Sequence, residues 1–226
     1  MAQRVRSFNA GSQDQDENLC LVVLGASGVG KTAIISQFLG QNFITEYKGT
    51  FEEIHRRTYD SSGLNLTVGI VEIINGDAVP TVRKHAIAKG DAFVLVYSVD
   101  DADSFEQIYS LRDLILEEKQ ENNVPIYVVA NKIDIAEERK TPIWQVADAI
   151  VTIDWGHKYT EVSARDPTQI AELFESALRH ALSVYKGRFL MSPRRMITPA
   201  YLLSVIREKL RLNRRTNPDR GTRCKR

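Results

Sequence analysis

Cysteine is scarce: the 226 residues hold two, Cys20 and Cys224. A single pair so far apart builds no disulfide framework, and the expectation is a protein of a reducing, cytoplasmic compartment. Cys20 lies in the apolar run Leu19–Leu24 and reads as core. Long hydrophobic runs are missing too. None approaches the ~18 residues of a membrane-spanning helix, and the polar stretch Met1–Glu17 has no apolar centre of the kind a secretory signal carries. Residue 2 is alanine, which excludes myristoylation. Cys224 stands third from the end, whereas a prenylation box places its cysteine fourth, so no prenyl anchor is expected. No stretch is repeated elsewhere in the chain. With a net charge of +1, neither sign dominates overall.

That balance conceals an asymmetry. Residues 1–185 carry 17 Lys and Arg against 27 Asp and Glu, whereas residues 186–226 carry 13 against 2. An acidic body with a basic tail points to an electrostatic partner for the tail (an anionic membrane, a nucleic acid or an acidic protein) or to a merely solvated tail. Apolar residues make up 43% of the chain, enough for a core. The length suits one α/β domain with extensions.

Residues 1–18 read as a flexible leader. From Leu19 onward, short apolar runs alternate with helical patterns. Strands are expected at Leu19–Leu24, His55–Tyr59, Leu66–Ile74, Ala92–Val99, Val124–Ala130 and Lys158–Val162. Helices are expected at Lys31–Leu39, Thr81–Ala88, Ser104–Glu121, Pro142–Ile153 and Thr168–Tyr185. Such alternation means βαβ units and a mostly parallel sheet covered on both faces. Ligands then bind beyond the carboxyl ends of the strands. The alternation stops after Tyr185, which sets a body at 19–185 apart from a basic extension at 186–226. Within that extension, Leu202, Val205, Ile206 and Leu210 fall on one helical face and Arg207, Arg211, Arg214 and Arg215 on the other. The apolar face packs on a membrane surface or partner, or back on the body.

Gly25-Ala26-Ser27-Gly28-Val29-Gly30-Lys31-Thr32 fits G-x-x-x-x-G-K-[ST], after a strand and opening a helix, as the motif requires. The glycines let the backbone curl so that successive N–H groups face phosphate oxygens, and the helix N-terminus adds a favourable dipole. Gly25, Ser27, Gly28, Val29, Gly30, Lys31, Thr32 and Ala33 are therefore the candidate phosphate residues. Lys31 supplies a charge for the β- and γ-phosphates and Thr32 a hydroxyl for Mg²⁺. Asn131-Lys132-Ile133-Asp134 follows the apolar strand at Val124–Ala130, on the ligand-binding edge. A buried carboxylate at Asp134 accepts two hydrogen bonds from the N1–H and exocyclic amine of guanine. Adenine has no such donor pair, and this weighs against an ATP-dependent kinase or ATPase.

With these motifs in this order over roughly Leu19 to Leu182, the chain resembles the Ras family of small GTPases. The resemblance implies a P-loop small G domain: an α/β fold with a mostly parallel six-stranded sheet and helices on both faces, binding GTP or GDP with Mg²⁺. It also implies that Asn131, Lys132 and Asp134 read guanine, that Ser163-Ala164-Arg165 forms the second base-contacting loop (Arg165 standing where Lys is usual), and that Phe43 packs edgewise on the base. Tyr47-Lys48-Gly49-Thr50 matches the first switch, where Thr50 reaches Mg²⁺ and the γ-phosphate. Effector and regulator proteins would then dock through residues 43–54 and 72–84, and no specific nucleic acid is expected. Within the family, Gly90–Ser98, Asp103–Glu106 and Ser110–Leu116 are similar to the Rhes/Dexras and Ras-dva branch.

The second switch departs from the family pattern. The slots of its Asp-x-x-Gly motif hold Glu72, Ile73, Ile74 and Asn75. Glu72 keeps the charge of the metal-supporting Asp but adds a methylene, which bears on a metal that insists on near-ideal octahedral geometry. Asn75 replaces the Gly whose N–H meets the γ-phosphate. Gly76 falls where the family positions water with Gln, and Ser27 fills a slot that is Gly in Ras itself. A one-residue insertion would instead put Gly76 in the glycine slot, restoring neither the Asp nor the Gln. The candidate catalytic positions are Lys31, Thr50 and Gly76; the metal positions are Thr32, Thr50 and Glu72. The expectation is a Mg–GTP switch with slow hydrolysis, or else a nucleotide-loaded interaction module with little turnover. Any placement at the inner face of the plasma membrane rests on the tail.

If the tail attaches to membranes, the attachment is electrostatic and helical. Each basic residue near an anionic surface contributes about 1 kcal/mol, and exposed charges are screened over about 8–10 Å. Binding to phosphatidylserine vesicles should therefore collapse as salt rises. Co-sedimentation that is absent at low salt, or unmoved by salt, contradicts this.

Overall fold

A computed structural model describes residues 19–40, 52–61, 64–73, 80–121, 123–135 and 137–184. The expectations for the leader, for residues 43, 47–50 and 74–76, and for the basic extension lie outside these. In chain order the elements are β1 (Leu19–Leu24), α1 (Lys31–Leu39), β2 (Glu52–Ser61), β3 (Leu64–Ile73), α2 (Pro80–Lys89), β4 (Ala92–Ser98), α3 (Ala102–Lys119), β5 (Ile126–Asn131), α4 (Trp144–Ala149), β6 (Lys158–Val162) and α5 (Pro167–Val184). The six strands form one sheet in the order β2-β3-β1-β4-β5-β6. β2 is antiparallel to β3, and the other pairings are parallel. This is the mostly parallel α/β sheet that the sequence implied.

Side chains alternate faces along a strand, and both faces here are covered by helices. Leu19, Leu21 and Val23 join Ile34, Ile35 and Phe38 of α1 and Phe174 and Leu178 of α5 in one core. Cys20, Val22 and Leu24 join Ile87 of α2, Phe105 and Ile108 of α3 and Ala147 of α4 in the other. The near-continuous apolar strands follow from this double coverage. So does the place of Cys20, which is buried.

The helices start where capping chemistry allows. α2 and α5 open on Pro80 and Pro167, and a proline at the first helical position lacks only an N–H that has no helical partner anyway. Asp101 caps α3 by accepting from the Ser104 N–H at 3.2 Å, and Asp166 caps α5 by accepting from the Thr168 N–H at 2.8 Å.

Most element bounds shift from expectation by one or two residues, and three departures have a structural reason. β5 begins at Ile126, not Val124, because Pro125 has no N–H for a ladder; its carbonyl instead accepts from the Phe93 N–H at 2.9 Å. β2 is longer than His55–Tyr59. It is an edge strand of the sheet, and its backbone pairs with β3 along the whole of Glu52–Ser61. The helix expected at Pro142–Ile153 is α-helical only over Trp144–Ala149 and widens into a π-turn at Ile150–Asp154. That turn contains the β-branched run Ile150-Val151-Thr152-Ile153, and the Thr152 hydroxyl donates to the Asp148 carbonyl at 2.7 Å, a contact that bends helices.

β1 lies between β3 and β4, with the chain running outward on both sides. Its carboxyl end is therefore the switch point of the sheet, where a crevice opens.

Candidate functional site

The loop Gly25–Thr32 leaves β1 at this point. Two of its glycines, Gly25 and Gly30, are there for want of room. A Cβ on Gly25, at φ 146°, would lie 2.1 Å from the Val96 carbonyl oxygen; one on Gly30, at φ 99°, would lie 2.2 Å from Asn131 Nδ2. The loop thus sits directly on the ends of β4 and β5. Ser27 and Gly28 are exposed, while Val29 is buried and Ala33 packs partly against the core. Lys31 is 5% exposed and arches back over the loop, its Nζ donating to the carbonyls of Gly25 at 2.9 Å and Ala26 at 2.7 Å. α1 begins with no side-chain cap, so its first N–H groups and dipole face the crevice.

Thr32 Oγ1 donates to Glu72 Oε1 at 2.5 Å. Glu72 is fully buried near the end of β3, in register with Val23 of β1. A hydroxyl and a carboxylate, both hard oxygen donors, fit Mg²⁺, which takes one or two carboxylates and completes its shell with phosphate oxygens and water.

The other half of the site comes from β5 and the loop after β6. Asn131 ends β5 and is 1% exposed. Its Nδ2 donates to the Val29 carbonyl at 2.8 Å, and its Oδ1 accepts from the Ala164 N–H at 3.1 Å. One amide therefore ties the Gly25–Thr32 loop to the Ser163–Arg165 loop. Ser163 and Ala164 are buried; Ser163 donates its N–H to Gln169 Oε1 at 2.7 Å and its hydroxyl to Asp134 Oδ1 at 2.6 Å. Arg165 is exposed, and its Nη1 donates to Asp134 Oδ2 at 3.1 Å. Lys132, at φ 67°, brings its Nζ within 3.5 Å of Asp100.

Asp134 is not buried, contrary to expectation: 32% of its side chain is exposed. It stands in the turn beyond β5, at the mouth of the crevice, where a bound base would be its cover. Of the sequence-derived candidates, the structure brings together Gly25–Ala33, Glu72, Asn131, Lys132, Asp134 and Ser163–Arg165; Phe43, Thr50 and Gly76 lie outside the described residues. Sequence reasoning missed Gln169, which only the closure of α5 onto the Ser163 loop reveals. It also missed Asp100, whose signal was a carboxylate just past a largely apolar strand.

The sequence profile of the Ras family matches residues 20–183, from β1 to α5. The chain is 33% identical over 189 residues to the GTP-binding protein Rhes of Mus musculus, covering 74% of this chain and 71% of that protein. Rhes of Rattus norvegicus aligns equally well. Rhes of Homo sapiens is 35% identical over 163 residues, covering 68% of this chain and 61% of the relative.

The Asn131 bridge generates a stability prediction. Asn131→Ala leaves the Val29 carbonyl and the Ala164 N–H without this partner, which should cost about 1–3 kcal/mol. Urea unfolding of the nucleotide-free protein measures it; a loss below about 0.5 kcal/mol would show that water replaces the amide freely.

Proposed function

The chain belongs to the Ras family of small GTPases, and from that premise we propose that it is a guanine-nucleotide switch in signalling, loaded with Mg–GTP and hydrolysing it slowly. The observation that carries this reading is the Asn131 bridge, which sets a phosphate-type loop beside the Asp134 carboxylate on one edge of the sheet. A ligand with phosphates at one end and a paired N–H donor edge at the other spans those two features.

In this reading the Gly25–Ala33 backbone and the start of α1 take the phosphates, and Lys31 exchanges its loop carbonyls for β- and γ-phosphate oxygens. Thr32, Glu72 and Thr50 hold the metal, which supplies charge neutralisation between the phosphates. Asp134 accepts from guanine while Ser163 and Arg165 hold its carboxylate; Lys132, Ala164 and Phe43 complete the base site. Effectors and regulators meet residues 43–54 and 72–84. No described helix is long and apolar enough to cross a membrane. The basic residues of 186–226 support a peripheral contact with an anionic surface.

Asp134→Asn should weaken GTP binding by about 1–3 kcal/mol, because a donor would then face a donor. It should improve the binding of xanthosine triphosphate. Equilibrium affinities showing neither change refute the base assignment.

Hydrolysis needs a water held in line with the γ-phosphate as well as neutralised charge. Lys31 and the metal address the second need. Gly76 has no side chain for the first, and Ser27 adds bulk beside the same phosphate. Single-turnover phosphate release from preloaded GTP should therefore run at or below the intrinsic Ras rate, on the order of 10⁻⁴ s⁻¹, with Gly76→Gln raising it. A wild-type rate tenfold above that value means another group positions the water.

A further inference from the structure

Lys132 and Gln120 are the only non-glycine residues with positive φ among the described residues. Gln120 ends α3, a place where the left-handed conformation closes a helix. Lys132 caps nothing. Its strained backbone lies at the crevice, where strain persists only if its surroundings hold it.

What holds its side chain is Asp100, outside every motif of the sequence. We propose that Asp100 is a positioning residue of the base site, fixing Lys132 by an ion pair at the place the guanine ring takes. The proposal rests on the guanine-site reading of Lys132.

Lys132 Nζ lies 3.5 Å from Asp100 Oδ1, the same oxygen to which the Ser98 hydroxyl donates. The two side chains are 37% and 18% exposed, so the pair is less screened than an ordinary surface pair. Burial disfavours the charged form of Asp100, but the Ser98 hydroxyl and the Lys132 ammonium outweigh it and hold the carboxyl below its ordinary range. The backbone is locked as well. The Val99 N–H donates to the Asn131 carbonyl at 3.1 Å, and the Val99 carbonyl accepts from the Thr141 N–H at 2.8 Å. The ion pair therefore spans two strand ends already pinned together.

A carboxylate on the edge that receives a polyphosphate repels it unless its charge is matched locally. Lys132 supplies that match. A lysine already held by a fixed carboxylate loses less rotamer freedom when a ligand immobilises it, so binding is favoured by pre-organisation.

The test is dissociation of N-methylanthraniloyl-GDP from the full-length chain, chased with excess GDP. Asp100→Asn should speed release at least threefold, and Asp100→Glu, which keeps the charge, should recover most of the difference. In a Lys132→Met background, Asp100→Asn should add nothing, since the carboxylate acts through the lysine. A release rate for Asp100→Asn within 1.5-fold of wild type overturns the proposal. So does an undiminished effect without Lys132, which would mark a merely structural carboxylate. Failure of the underlying guanine reading looks different: the wild-type chain would then not bind the labelled GDP at all, and the proposal would fall with it.

Discussion

The buried amide of Asn131 is the constraint on which the crevice depends. It donates a hydrogen bond to the loop after β1 and accepts one from the loop after β6, with Gly30 pressed so close that no Cβ fits between. Neither loop has regular hydrogen bonding to hold it in place. A shared partner that is 1% exposed does so instead, in surroundings where polar contacts are strong and their loss is costly. The spacing between the Gly25–Thr32 loop and the Ser163–Arg165 loop is thus tied to one side chain at the end of an interior strand.

Charge is arranged around that clamp. Lys31 lies folded on its own loop's carbonyls, Glu72 is buried against Thr32, and Asp134 is shared between Ser163 and Arg165. Each of these three charged side chains therefore has a polar partner within the protein, and in the proposed function a ligand exchanges partners without exposing bare charge. Such exchange keeps the desolvation cost of each step small.

Where chemistry is local, the sequence was easily read. β1 and α1 have the expected bounds because their apolar runs end on glycine, and β6 has its expected bounds too. The phosphate loop was equally clear, its glycines being demanded by backbone shape. Much of what escaped was set by tertiary contact, though not all of it. The length of β2 depends on pairing at a sheet edge, and the π-turn after α4 on β-branched crowding within a helical pattern. Asp134 reads as buried only if the ligand is counted as part of the interior. Asn131 looks like a base reader from its motif, yet both ends of its amide are engaged by the protein, a role no spacing rule encodes. Glu72 and Thr32, far apart in the chain, are grouped in the sequence by the family resemblance alone, and the pairing of β3 with β1 is what brings their side chains into contact.

The core on the α1 face bears on how the chain comes into being. There the first helix packs against the last, with the ring of Phe38 stacked on that of Phe174 at 3.9 Å. A nascent chain has made Phe38 long before Phe174 emerges, an interval on the order of ten seconds at ordinary synthesis rates. Throughout it, the inner side of α1 and one side of β1 are without their cover. The opposite side can begin to close earlier, on α2 and α3. Until α5 has been made, the sheet that carries the Gly25–Thr32 loop has all its helices for one face only, and α5 supplies the missing part of the other.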